Sequence, residues 1–448
     1  MKKCFVLIFL ILTFPILSQT LDIESKVKTL EEKLTKQEEI IKNQQMIIEE
    51  LKSELNRLKE DTSVKPSETS KKMAESELKL KPSGLFGSSN LLNPNISVVM
   101  NTFAYTSNLK NEDLESRNIK GFNSESGEVK KGFNLEAAEL YIYAPVDPYF
   151  NLYTTIPVTE EGVELEEAYF TTTSLLYGFQ IKGGKFKSSI GRLNSIHPHA
   201  WDFLGSPLVY KSFLGEEGLT EKGLGVYYLP PLPFYLNLGV EILQGENEVI
   251  FGDGAKNGPH AYSLFAKTSF DIGTHSTILT GLSYLKGNTL TETVEEDSIF
   301  KGKSTLYNFE FTYKWKKSNL KGFILQSEYI KRKQDGTLST EELLSYLKRN
   351  QDGFYIQGVY LFGKGRWRIG ARYDRLNLFE DKYELNYDKM DFGKDPYRIS
   401  YMIEYNPTEF SRIRLQYNHD KSDVTQKTNK EWILQFIFGI GAHAAHPF

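Results

Sequence analysis

From about residue 95 to its end, the chain alternates hydrophobic and polar positions with a period of two. Side chains of an extended strand point in turn to opposite faces, so each such run predicts a strand with one apolar and one polar side. Tyr307, Phe309, Phe311, Tyr313 and Trp315 form an aromatic row on one face, and Asn308, Glu310, Thr312 and Lys314 the other. Phe234, Leu236, Leu238, Val240 and Ile242 repeat the pattern against Asn237 and Glu241. The last run sets Trp432, Leu434, Phe436, Phe438 and Ile440 against Ile433, Gln435, Ile437 and Gly439. About sixteen runs of this kind occur, near 95–106, 133–144, 149–157, 163–171, 176–190, 221–229, 234–243, 260–271, 276–286, 304–315, 320–331, 353–362, 367–377, 396–405, 410–419 and 431–440. Each has the length that crosses a bilayer at a tilt.

The connections between these runs alternate in length. Pro145 to Pro148, Pro230 to Pro233, Ile272 to His275, Lys316 to Asn319, Gly363 to Arg366 and Asn406 to Glu409 are tight turns. Between them lie long polar stretches: 107–131, 191–220, 287–303, 332–352 and 378–395. A soluble sandwich gives no reason for one end to have consistently short loops, whereas a transmembrane barrel does. The pattern therefore predicts an all-β transmembrane barrel of about sixteen antiparallel strands over 86–448. The even count puts both chain ends on the short-turn side.

The N-terminal region follows other periods. Lys2 and Lys3 precede an apolar run from Cys4 to Leu17 that ends at Ser18, which reads as a secretory signal peptide over 1–18. From Ile23 through Val27, Leu30, Leu34, Gln37, Ile41, Gln44, Ile48, Leu51, Leu55 and Leu58 a heptad runs unbroken, predicting a coiled coil over 21–60. A coiled coil needs partner helices, and a homotrimer is the expected assembly, although these positions do not separate two strands from three. A long helix folded back on its own domain is the alternative. The stretch 61–85, rich in Ser, Thr, Lys and Glu, reads as a flexible linker. A secreted chain without a helical span that enters a membrane must do so as a barrel, so the expected place is the bacterial outer membrane, with the coiled coil in the periplasm.

Composition changes this picture little. A net charge of -4 and a mean hydropathy of -0.40 suit a soluble protein and a barrel alike, because lipid-facing and lumen-facing residues average out. The 26 Tyr and 29 Phe suit aromatic girdles at two membrane interfaces. Cys4, the one cysteine, lies in the signal, so the remainder can form neither a disulfide nor a thiolate metal site. No phosphate-loop, nucleophile-elbow, zincin or dinucleotide motif is present, and His419 beside Asn418 has no serine at a useful spacing. Neither enzyme activity, nor a cofactor, nor a nucleic-acid partner is expected.

Candidate functional residues concentrate in two places. With Trp367, Ile369 and Tyr373 turned to lipid, Arg366, Arg368 and Arg372 turn inward. By the same alternation Arg398, with Glu404, and then Arg412 and Arg414 face the lumen. Six arginines from three adjacent strands thus line one wall, where they would favour anions or else pair with inward carboxylates such as Glu139, Glu164, Glu166, Glu310 and Glu328 and brace the wall. The second place is the third long connection, Gly191 to Thr220, with Ile196, Trp201, Phe203, Leu204, Leu208, Val209, Phe213 and Leu214. That is too apolar to stand in water, so the loop is expected to fold into the barrel. Asp202, Glu216 and Glu217, with Lys211 beside them, would then face the arginine wall. His197 and His199, like His443 and His446, could share a metal ion, or they are ordinary polar loop residues; the spacing does not decide.

Glu136, Ala137 and Glu139, Val146-Asp147-Pro148, Glu164 to Tyr169, Gly183 to Phe186, Gly191-Arg192-Leu193-Asn194 with His197, His199, Trp201 and Asp202, and the ending Gly441 to Phe448 resemble a family of porin-like bacterial outer-membrane proteins. Members carry labels such as zinc-regulated, TonB-dependent or phosphate-selective. The resemblance implies a porin-like barrel, an inward third loop that narrows the channel, and a C-terminal aromatic, Phe448, for the barrel-assembly machinery. It does not extend to TonB-dependent receptors, which need a globular plug and 22 strands where this chain has a coiled coil and about sixteen. The resulting expectation is a passive channel for small hydrophilic solutes, favouring anions. A structural tether acting through the coiled coil and a zinc-linked uptake receptor are the alternatives.

Overall fold

A computed structural model of the protein describes residues 94–441 apart from 123–129, 253, 293–297, 319, 341–342, 424 and 426. The expected signal peptide, coiled coil and linker, residues 86–93, and His443, His446 and Phe448 lie outside the described residues. The strands are β1 (Asn95–Ser107), β2 (Gly132–Pro145), β3 (Phe150–Val158), β4 (Glu167–Thr172), β5 (Phe179–Lys187), β6 (Thr220–Tyr228), β7 (Tyr235–Leu243), β8 (Ala261–Ile272) and β9 (Ser276–Glu292). They continue as β10 (Ile299–Ser318), β11 (Lys321–Ser339), β12 (Leu344–Phe362), β13 (Trp367–Leu385), the two-residue β14 (Asp388–Lys389), β15 (Tyr397–Thr408), β16 (Ser411–Asp420) and β17 (Asn429–Gly441).

Each strand pairs antiparallel with its chain neighbour, and β13 pairs directly with β15, so β14 is a short annex and sixteen strands form the wall. The wall closes: β17 pairs with β16 on one side and with β1 on the other, from Ser97 opposite Gly441 to Ser107 opposite Glu431. Closure leaves no unpaired strand edge, which is the condition for a sheet to sit in hydrocarbon. Among the described residues no helix is long and apolar enough to cross a membrane.

The alternation read from sequence has the sense expected. On β10, Phe309 is 44% exposed while Asn308 and Glu310 on either side are buried. On β7, Val240 and Ile242 face out and Glu241 is fully buried. The apolar face is therefore outside and the polar face inside, the reverse of a soluble barrel.

The loops differ from expectation on one side. The stretches 287–303, 332–352 and 378–395 are largely strand, because β9 to β13 run on for 17 to 20 residues. About ten residues cross the hydrocarbon, so roughly half of each of these strands stands beyond it. The hydrogen-bond ladder persists there with Phe300, Leu338, Leu347 and Tyr383 clustered on the inner face among polar residues, so no continuous apolar face marks it in the sequence.

Candidate functional site

The loop between β5 and β6 lies inside the barrel. Gly191 begins the inward turn with φ +64, and a Cβ there would collide with Glu328 Oε2. Ile190, Leu193, Trp201, Leu208, Val209, Tyr210, Phe213 and Leu214 pack against lumen-facing Leu306, Ile330, Tyr355 and Leu376. The segment Leu208–Leu214 is a short helix with Lys211 as its one residue not buried. Trp201 is buried, and its Nε1 donates to the Ile196 carbonyl at 2.9 Å. Loop 244–260 also turns in, burying Val249, Ile250 and Phe251, while the Glu221 carboxylate accepts from the backbone N–H groups of Gly245, Glu246 and Asn247. Phe122 from the first long connection joins the same cluster.

A loop with little secondary structure carries many backbone groups without partners, and burying them unpaired is costly. The lumen charges supply the partners. Glu328 Oε2 accepts from Arg192 N at 3.0 Å, Tyr210 Oη at 2.8 Å and Asn308 Nδ2 at 3.0 Å, and its Oε1 accepts from Leu193 N at 2.9 Å and Tyr355 Oη at 2.7 Å. Glu241 accepts from Ser189 N at 2.9 Å and from the Ser188 hydroxyl. On β13, β15 and β16 the arginines do the converse. Arg414 donates to the Trp201 carbonyl at 2.8 Å, Arg412 to that of His199 at 3.2 Å, Arg372 to that of Gly205 at 3.1 Å and Arg398 to that of Ser206.

Five of the six arginines proposed from sequence converge on the lumen. They pair with Glu404, Asp374 and the loop's own Asp202, not with Glu139, Glu164, Glu166, Glu310 or Glu328. Glu404 holds Arg368 at 2.9 Å, Arg414 at 2.7 Å and Arg412 at 3.6 Å; Asp374 holds Arg372 at 3.2 Å and Arg398 at 3.3 Å. Asp202 pairs with Arg368. Arg366 departs from the set: it sits in the Gly363 to Arg366 turn, exposed, because the strand begins one residue later. Glu216 pairs with Lys211, and Glu217 takes the Lys187 ammonium on its carbonyl at 2.9 Å, so these two lie toward β5 and away from the arginine wall. The arginines hold the loop upstream, at His199 to Ser206, and after the helix the chain turns at Gly215 toward β6.

Sequence reading passed over Arg192, Lys267 and Lys314. Lys267 pairs with Glu310 at 3.1 Å, and all three are partly exposed to the lumen. The alternation already turned Lys314 inward; Arg192 could not be placed because a loop has no period.

His197 and His199 come together on one carboxylate. Glu139 Oε1 lies 3.1 Å from His197 Nδ1 and Oε2 lies 3.0 Å from His199 Nδ1, while His197 Nε2 is 2.8 Å from Glu167 Oε2. Burial disfavours the charged ring of His197, but the hydrogen bonds to Glu139 and Glu167 outweigh it and its pKa is pushed up to about 10.

The comparisons fit this architecture. An outer-membrane channel, DcaP of Acinetobacter baumannii, superposes with a TM-score of 0.50 at 11% identity, covering 79% of this chain and 99% of that one. The anion-selective porin from Comamonas acidovorans gives 0.49 at 8% identity over 78% and 99%. At these identities the likeness is one of fold. No family model matches the sequence. An uncharacterized protein of Aquifex aeolicus is 45% identical over 381 residues, 79% of this chain and 80% of that protein. With a porin-like closed barrel as its fold, the chain belongs to the family of that Aquifex aeolicus protein.

Proposed function

We propose that the protein is a passive channel of the bacterial outer membrane for small hydrophilic solutes, with a preference for anions. The observation that carries this reading is the lumen: a closed wall, apolar toward lipid, encloses guanidinium and ammonium groups of which Arg192, Arg368, Arg412 and Lys314 keep partial exposure. Five guanidinia on β13, β15 and β16 pair directly with three carboxylates, Glu404, Asp374 and Asp202, and Arg368 and Arg412 are the ones that stay partly open. Fixed charge of one sign in a narrow aqueous passage enriches mobile ions of the other. A trimer joined by the N-terminal heptads, periplasmic placement of those heptads and delivery to the assembly machinery through Phe448 belong to the same proposal. Full-length protein in planar bilayers under a salt gradient tests it. The reversal potential is expected on the anion side, moving toward zero when Arg368 and Arg412 are replaced by Gln; cation preference would remove the anion claim.

One observation favours a second reading, a barrel that anchors a tether. Two inward loops and part of a third leave Arg414, Glu404, Asp374 and Glu328 almost without exposure. That reading predicts no single-channel current from folded protein, and a steady current would discard it.

A further inference from the structure

We infer that Glu139, His197 and His199 form a binding site for one divalent transition-metal ion of the zinc class, which staples the inward loop to the barrel wall. The site stands whether or not the barrel conducts.

Three observations carry it. The donor atoms of the three side chains lie within 4.8 Å of one another, and Glu139 and His199 are buried. Both imidazoles present Nδ1 to oxygens of the same carboxylate at 3.0 and 3.1 Å, close to the roughly 3.3 Å edge of a tetrahedron with metal bonds of about 2.0–2.1 Å. The outer nitrogen of His197 is held by Glu167 Oε2 at 2.8 Å, the carboxylate–histidine–metal arrangement that fixes the ring and turns Nδ1 toward Glu139. Glu166 Oε2, 3.9 Å from His197 Nδ1, is placed to supply a fourth ligand.

Charge points the same way. Glu139, Glu166 and Glu167 are all buried around the two rings, and the ammonium in contact with them is that of Lys187, 2.7 Å from Glu166. A divalent ion adds positive charge among three buried carboxylates that the Lys187 ammonium does not balance alone. Nitrogen and carboxylate donors without thiolate suit zinc over calcium or magnesium. Glu139 belongs to β2, Glu167 to β4, and the histidines to the loop. An ion here therefore ties the first third of the loop to a wall that the arginines do not reach.

The test uses refolded full-length protein stripped of metal and titrated with zinc chloride alone, with elemental analysis after gel filtration. About one zinc per chain is expected, with two imidazole nitrogens and oxygen near 2.0–2.1 Å by X-ray absorption. His199→Ala and Glu139→Gln should weaken binding more than a hundredfold, and Glu167→Gln by 10–100-fold. All variants should keep the heat-modifiable gel mobility of a folded barrel, and a variant that loses it is replaced by His199→Gln. Replacing His443 and His446 by Ala should leave the stoichiometry unchanged. Zinc uptake equal in wild type and in a His197→Gln/His199→Gln protein would overturn the inference. So would loss of uptake only on removing His443 and His446, or an NMR spectrum with both His197 nitrogens protonated in zinc-saturated protein.

Discussion

The inward loop is gripped by two walls of opposite charge, and the two grip it differently. On β4, β7 and β11, Glu167, Glu241 and Glu328 accept hydrogen bonds from the loop's histidine, hydroxyl and backbone N–H groups. On β13, β15 and β16, Arg372, Arg398, Arg412 and Arg414 donate to its carbonyls. A carboxylate has two oxygens and no proton, so it gathers several donors at the tight turn after Gly191. A guanidinium carries five donors in a flat fork, so it can bridge a wall carboxylate and a loop carbonyl together. The comparison teaches that most charge in this lumen is spent on positioning the loop. In the proposed channel, ion preference then falls to the few groups that keep some exposure.

The strongest way to break the comparison is on the acidic side. Glu328→Ala leaves five donors without their acceptor and is expected to cost about 3–5 kcal/mol of local stability. The loop should leave the lumen. Single-channel conductance should rise several-fold and trypsin should cut within 188–219; unchanged conductance and digestion would mean that the basic wall suffices. Next in size is Glu404→Gln, which takes the carboxylate from Arg368, Arg412 and Arg414 at once. A loss of about 2–4 kcal/mol in urea unfolding is expected, together with a reversal potential further toward the anion limit; movement toward cations would contradict the proposed anion preference. Asp202→Asn removes the loop's own acid from Arg368, and should cost about 1 kcal/mol and sharpen anion preference modestly in the same recording. Smallest is Arg412→Gln, the most exposed member, for which a change of less than about twofold in permeability ratio and under about 1 kcal/mol in stability is expected. A larger loss of stability would make Arg412 a brace like Arg414.

How much of this was legible in the sequence varies with periodicity. The transmembrane portions of β7, β10 and β17 were readable because lipid on one side and polar groups on the other impose a period of two on the residues themselves. The upper halves of β11 and β12 were not, since Arg332, Gln334, Arg349 and Gln351 face inward, the two arginines over the rings of Phe213 and Phe300, while Lys333, Lys348 and Asn350 face outward. Charged and amide side chains stand on both faces and the apolar–polar alternation is lost. The loop's burial was legible in its composition, because Trp201, Phe203 and Phe213 have nowhere else to go. Its partners were not. Glu328 and Glu310 look alike in sequence, two inward glutamates on neighbouring strands, yet one holds the loop's turn and the other holds Lys267.

What the sequence determined alone is the barrel, its approximate strand count and the inward sense of the arginines, because each follows from local alternation and connection length. What only the tertiary structure decided is who pairs with whom across the lumen. Asp202 meets Arg368 across 166 positions of sequence, and His197 meets Glu139 across 58. No periodicity reaches so far, since such contacts are fixed by where a closed wall brings an aperiodic loop to rest.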